Sequence, residues 1–207
     1  MLIHPWDAGL STEEWATFVK AQGFGHLVAA GRGRDVPVVV PTQFVLATPS
    51  LVLLHLARPS PIWAALEENP AVVLSVAGDW AYVPAAWKAV GDEDPRLGVP
   101  TTYYAAVQLI ARATVVDDPD GKAEILRLQV SATEPGSGVL VDPASRARVL
   151  PGLRGLRLEV VEVRAKFKYG GNVDRPHREA VIAKLRARGG PADLLAAAHA
   201  ERRLGIS

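Results

Sequence analysis

The sequence predicts a mainly β fold with peripheral helices (β+α), in which an antiparallel meander of the kind that closes into barrels ends in a helical hairpin. Three observations carry this. Short apolar runs between Gly25 and Leu56 follow one another through Gly, Pro and Ser turns with no helix between them. A longer run, Leu156 to Phe167, alternates strictly and then changes phase. Two helical stretches near the C-terminus are separated by Gly189-Gly190-Pro191.

The elements follow in order. Ser11 and Glu14 have capping-box spacing, Trp15, Phe18 and Val19 share one helical face, and Gly23 is a stop signal. Gly25 to Ala30 is a strand, and Gly31 to Asp35 a turn leading to Val36–Val40. Pro37 cannot donate to a ladder, so that strand starts after it or lies at an edge. Gln43 to Ala47 and Leu51 to Leu56 are strands joined by Thr48-Pro49-Ser50. Ser60-Pro61 reads as N-cap and first residue of a short helix with Ile62, Trp63 and Leu66 as its apolar face, ended by Asn69-Pro70. Val72 to Ala77 is apolar but for Ser75, a pattern of burial on both faces, and Ala81 to Val83 extends it. Residues 84–100, rich in Pro and Gly, form a long surface loop. Tyr103 to Val116 is a strand, Asp117 to Gly121 a turn or helix entry, Lys122 to Val130 a helix, and Glu134 to Gly138 a loop. The phase change between Val160 and Val161 predicts a bulge or strong bend. Arg178–Arg188 and Asp193–Leu204 complete the chain as helices. The expected domains are residues 1–172, the barrel, and 173–207, a helical extension.

Composition narrows the function by exclusion. The 207 residues carry 23 basic and 22 acidic side chains, a formal net charge of +1, so no broad polyanion-binding surface is expected. Without cysteine there are no disulfides, thiolate nucleophiles, or zinc–thiolate and iron–sulfur sites. No signal-peptide pattern or apolar stretch of spanning length is present, and the expected location is cytoplasmic, with no membrane partner. The five histidines show no metal-ligand spacing, so no metal is expected. No nucleophile–base pattern stands out either, and catalytic residues stay unassigned.

The most informative segment is His55-Leu56-Ala57-Arg58-Pro59-Ser60-Pro61. A strand ends, an Arg follows, and a Ser opens a helix. Such an arrangement can hold a phosphate, with Arg58 as a bidentate donor and Ser60 and the helix N–H groups beside it; simple capping is the alternative. Trp80, Tyr82, Trp87, Tyr103 and Tyr104 flank or fall within the long loop. They could stack on a flat heterocycle or pack the loop down. Arg175, Arg178, Lys184, Arg186, Arg188, Arg202 and Arg203 make the tail locally basic, compatible with a DNA contact or with a docked amphipathic hairpin.

In order along the chain, these segments resemble the PaiB-type family of FMN-binding negative transcriptional regulators, within the FMN-binding split-barrel superfamily. The resemblance covers nearly the whole chain. It runs through Phe24-Gly25-His26, Val40-Pro41-Thr42-Gln43-Phe44 and His55-Leu56-Ala57-Arg58-Pro59-Ser60-Pro61-Ile62-Trp63, the most specific match. It continues through Gly78 to Trp87, Val99 to Val107 and Lys166-Phe167-Lys168-Tyr169-Gly170-Gly171-Asn172. The chain departs from the family pattern at Ser60, Trp80, Thr102, Tyr103, Gly170 and Gly171. The resemblance implies a split β-barrel that binds FMN at a homodimer interface, with Thr42, His55, Ala57, Arg58, Ser60, Trp63, Tyr104 and Lys168 as cofactor-binding residues. It also implies a regulatory role or a flavin-dependent oxidoreductase activity. The alternative is a flavin-free dimeric ligand-binding or DNA-binding regulator on the same scaffold.

Overall fold

The computed structural model describes residues 1–205 and contains seven strands and five α-helices. Its contacts gather the chain into two units. One, the barrel unit, comprises Ser11–Val76 and Val107–Arg164; the other comprises Met1–Leu10, Ala77–Ala106 and Ala165 onward.

The barrel unit opens with α1 (Thr12–Gln22). The Ser11 hydroxyl accepts from the Glu14 N–H, and Gly23 ends the helix in the left-handed region at φ 57. A side chain there would strain the backbone, hence glycine. Next come β1 (Phe24–Ala29), β2 (Val38–Gln43), β3 (Val45–Thr48) and β4 (Leu51–Ala57), then α2 (Ile62–Glu68). Three long strands each serve both units: β5 (Ala71–Val83), β6 (Thr101–Val116) and β7 (Leu153–Lys168). The strand order is β2-β1-β5-β6-β7-β4-β3. The ladders β1–β2, β1–β5, β3–β4 and β4–β7 are antiparallel.

That order explains the barrel. The two edge strands, β2 and β3, are consecutive in the chain with only Phe44 between them, so the sheet curls until its edges meet there. Phe44 is buried at this seam, and among the described residues β2 and β3 stand at opposite edges of the strand order, which leaves the barrel split. β2 starts directly after Pro37 and is an edge strand, as a residue lacking an N–H requires. The interior is filled by Leu27, Leu54, Leu74, Leu109, Leu156 and Leu158, all fully buried. Each contributes about 1.5–3 kcal/mol by leaving water.

Some expectations shift. β5 is one continuous strand in which Val72, Leu74 and Val76 are buried while Val73 and Ser75 are half-buried, so only one face is fully covered. The short helix spans Ile62–Glu68, and Pro61 before it already has the α-region backbone (φ −67, ψ −12) of a first helical residue, with the Trp63 N–H 3.5 Å from the Ser60 carbonyl. β7 pairs with β4 in unbroken register from Leu153 to Glu159, so there is no bulge in that ladder. The phase change falls just beyond the last paired residue, where Val161 and Glu162 are exposed. Helix α3 (Pro119–Thr133) is longer than the apolar pattern predicts, because Asp118 caps it by accepting from the Gly121 N–H.

In the second unit, α4 (Arg175–Arg188) and α5 (Pro191–Leu204) meet at the Gly189-Gly190 break. The core there is Tyr103, Phe167, Tyr169 and Leu185. Among the described residues, no helix is long and apolar enough to cross a membrane, and no His/Asp/Glu group could hold a metal ion.

Candidate functional site

The end of β4 delivers Arg58 into a polar cluster of the barrel unit. Its backbone N–H donates to the Gly152 carbonyl at 2.8 Å, and its Nε to the Pro151 carbonyl at 2.7 Å. Its Nη1 and Nη2 form a fork on the Asp117 carboxylate at 3.0 and 2.5 Å. Asp117 stands there because β6 ends at Val116, and the cap at Asp118 then turns the chain into α3. One turn into α3, the buried Lys122 reaches the same carboxylate at 3.1 Å and the carbonyls of Leu150 and Leu153 at 2.9 and 3.4 Å. Arg154, near the start of β7, brings its Nε to 3.4 Å from Asp117 and its guanidinium carbon to 5.5 Å from the centre of the Trp63 ring.

Three cations therefore surround one carboxylate, a surplus of two positive charges. The Arg58 hydrogen bonds, with Lys122 adding to them and burial opposing, hold the Asp117 carboxyl at a pKa of about 2. Solvent reaches the pair, since the Arg58 and Asp117 side chains are 39% and 42% exposed. The buried Nε of Arg154 has no hydrogen-bond partner among the described residues, only the longer ion-pair contact.

The other predicted residues of this unit are held by local ties. The Trp63 indole N–H donates to the Ala57 carbonyl at 3.0 Å, pinning α2 to the end of β4. His55 Nδ1 lies 2.6 Å from the Gln129 side-chain oxygen; that oxygen only accepts, so Nδ1 carries the proton. Gln129 in turn donates to the Gln43 carbonyl at 3.3 Å. Thr42 is buried, and its hydroxyl donates to the Gln43 carbonyl. Ser60 is half-buried at the turn before α2, where its N–H donates to Ala57. A cleft of about 600 Å³, bounded by Lys20–Phe24, Gln43–Leu46 and Ala132–Thr133, is lined by none of the predicted site residues.

Tyr104 and Lys168 belong to the second unit. The Lys166 and Lys168 ammonium groups stand 5.7 and 5.9 Å from the centre of the Tyr104 ring, at cation–π distance. Lys168 donates to the Thr101 hydroxyl at 2.8 Å. The buried Lys166 donates to the Leu2 carbonyl and lies 4.0 Å from Asp7. Burial pushes the Asp7 carboxyl up, opposed by Lys166, Lys168 and neighbouring cations. Of the loop aromatics, Trp80 and Tyr82 are exposed, Trp87 packs beneath Arg188, and Tyr103 is buried. Its hydroxyl lacks a partner among the described residues, and burial raises its pKa to about 12. Within β5, Asp79 holds a left-handed backbone (φ 50). There the carbonyl accepts from the Tyr169 hydroxyl and the carboxylate meets His199 Nε2 at 2.7 Å.

Within the barrel unit, the structure therefore brings Arg58, Ala57 and Trp63 together, and places His55 and Thr42 about the Gln43–Gln129 link. Asp117, Lys122 and Arg154 complete the cluster, although no sequence motif points to them. One signal was available: Lys122 and Gln129 lie on the same face of α3 as Ile125, two polar residues on a buried stripe.

No curated protein matches the chain. Among solved structures, the FAD and heme binding protein from Mycobacterium smegmatis is 19% identical with a TM-score of 0.63, over 89% of this chain and 80% of that one. A flavocytochrome from Azotobacter vinelandii is 23% identical with a TM-score of 0.60, over 84% of this chain and 75% of that one. At such identities the likeness shows the fold, a split barrel with peripheral helices. A family model described as "Putative FMN-binding domain" matches residues 1–162, most of the sequence including the whole Arg58 cluster, and the chain belongs to that family.

Proposed function

We propose that this protein binds a flavin phosphate, FMN in the first instance, with Arg58 at the phosphate end. The surplus of two positive charges around Asp117 is the observation that carries this reading, since a phosphate monoester brings close to two negative charges at neutral pH. The donor set suits that ligand: guanidiniums, an ammonium and an orphaned Arg154 N–H fit phosphate oxygens better than a neutral group. Thr42, His55, Ala57, Ser60 and Trp63 enter the reading as neighbours of Arg58 in the matching motif. Tyr104 and Lys168 enter through their own motif positions, and a homodimer would let either copy supply them. When bound, the flavin ring supplies the redox chemistry, while the protein binds it, orients it and keeps water away.

Titration of FMN and riboflavin against the purified protein tests this. Both should bind, with Arg58→Ala weakening FMN by about tenfold and riboflavin little, because only FMN carries the phosphate. A protein that is colourless and binds neither at micromolar concentration overturns the reading. A regulatory role of the PaiB type would, in this chain, be exerted through flavin occupancy more than through the basic tail. Arg186 pairs with Glu201 at 2.6 Å, Arg188 pairs with Asp193, and Lys184 donates to the Trp87 carbonyl at 3.1 Å.

A further inference from the structure

We propose that Asp117 is an internal competitor for the Arg58 cluster: its carboxylate holds the Arg58 fork that a phosphate monoester would otherwise take, so phosphate binding requires Asp117 to yield. The inference rests on the reading of Arg58 above and adds a residue that sets both affinity and selectivity. Arg58 directs both terminal nitrogens at Asp117 and its Nε at Pro151, so its bidentate face is already engaged. A phosphate cannot share that face; it must displace the carboxylate. Displacement is feasible because both side chains are over a third exposed, whereas Lys122, with 6% of its side chain exposed, stays fixed by two carbonyls.

The charges favour the exchange for one class of ligand only. Once Asp117 yields, three cations face the ligand, and a phosphate dianion brings one more negative charge than the carboxylate it displaces. A carboxylate or other monoanion only restores the charge Asp117 had supplied, so it gains nothing by displacing a group that is already well bound. The orphaned Arg154 Nε lies 3.4 Å from Asp117 with its N–H not aligned on that carboxylate, so it offers a donor for an incoming oxygen. The device therefore selects phosphate monoesters over carboxylates at the cost of affinity, and it lowers the preference for FMN over a phosphate-free flavin, which does not compete for the fork.

The test compares wild type with Asp117→Asn by fluorescence titration of FMN and riboflavin, and by the melting temperature in millimolar inorganic phosphate. The expected result is about tenfold tighter FMN binding by Asp117→Asn with riboflavin unchanged, since a charge-assisted competitor has been removed. Inorganic phosphate should raise the melting temperature of the variant more than that of wild type. FMN binding that is unchanged or weaker, or riboflavin moving equally, overturns the competitor role while leaving the flavin reading intact. If neither protein binds either flavin, the flavin reading fails and the phosphate shift alone decides. A larger shift in the variant supports the competitor, and an equal or smaller one overturns it. Should Asp117→Asn fail to fold, Arg154→Gln replaces it: loss of FMN and phosphate binding with riboflavin retained supports the cluster, and no change overturns it.

Discussion

At the scale of single residues, Gly170 and Gly171 are each required by a different neighbour. Gly170 has φ +79, and a Cβ there would fall on the Tyr103 hydroxyl; a Cβ on Gly171 would fall on the Trp6 carbonyl. The large side chain at 103 and the missing one at 170 are thus two sides of one packing solution. Gly170→Ala should cost about 1–3 kcal/mol by denaturant melts, through strained backbone and the clash together. Adding Tyr103→Phe should recover only the clash, so the double-mutant cycle gives a coupling energy well short of the whole loss. Tyr103→Phe alone removes a buried hydroxyl without a partner and should leave stability equal or slightly higher. It should also flatten the alkaline limb. With a folded pKa of about 12 against 10 unfolded, the tyrosine's contribution is complete below pH 10 and is lost as pH rises toward 12.

At the scale of elements, the loop of residues 84–100 is fastened to α4 at two levels. Near Trp87, Arg188 lies 4.6 Å over the indole centre and Lys184 donates to carbonyls. Farther along, His177 joins α4 to the loop, with Nδ1 2.6 Å from Asp174 and Nε2 3.0 Å from Glu93. Carboxylates only accept, so both ring nitrogens must donate and the clasp is an imidazolium. The hydrogen bonds from Asp174 and then Glu93 raise the His177 pKa above its usual 6.5, and both carboxylates are lowered in return. The clasp is therefore complete below pH 6.5 and lost as pH rises through the raised value. Hydrogen exchange of residues 89–100, corrected for intrinsic rate, should show protection at pH 6 that falls by pH 9. In His177→Gln the protection should be low at both pH values. Equal protection in wild type at the two pH values would count against the clasp.

At the scale of the whole molecule, the near-neutral charge hides an uneven distribution. Positive charge is concentrated at Arg58, Lys122 and Arg154, and the basic tail is largely engaged with its own carboxylates and carbonyls. Genomic DNA fragments should accordingly bind weakly, with log affinity falling only shallowly against log salt. A steep slope would restore a DNA-binding tail. Sedimentation at micromolar concentration should give the mass of a dimer, as the homodimer in the proposed function requires, and a monomer in the presence of flavin would remove it.

How much was legible beforehand follows from the range of the interactions. Helix caps at Ser11, the stop at Gly23, the edge character of the strand after Pro37 and the break at Gly189-Gly190-Pro191 are local consequences of donors, acceptors and allowed dihedrals. They could be read directly. Arg58 stands out after β4 in the sequence as a candidate phosphate ligand. Its partners do not. Asp117 reads as part of a turn, Lys122 as the start of a helix, and Arg154 falls just outside the strand run that begins at Leu156; they are separated from Arg58 by 59, 64 and 96 positions. The sequence by itself determined the order of elements and the exclusion of thiol chemistry, because periodicity, capping and composition act over a few residues at a time; the FMN-binding family was legible only through the resemblance of its motifs. Only the tertiary structure decided that three cations converge on one carboxylate, because that meeting depends on β6 ending beside β4 and β7 once Phe44 has closed the strand order on itself.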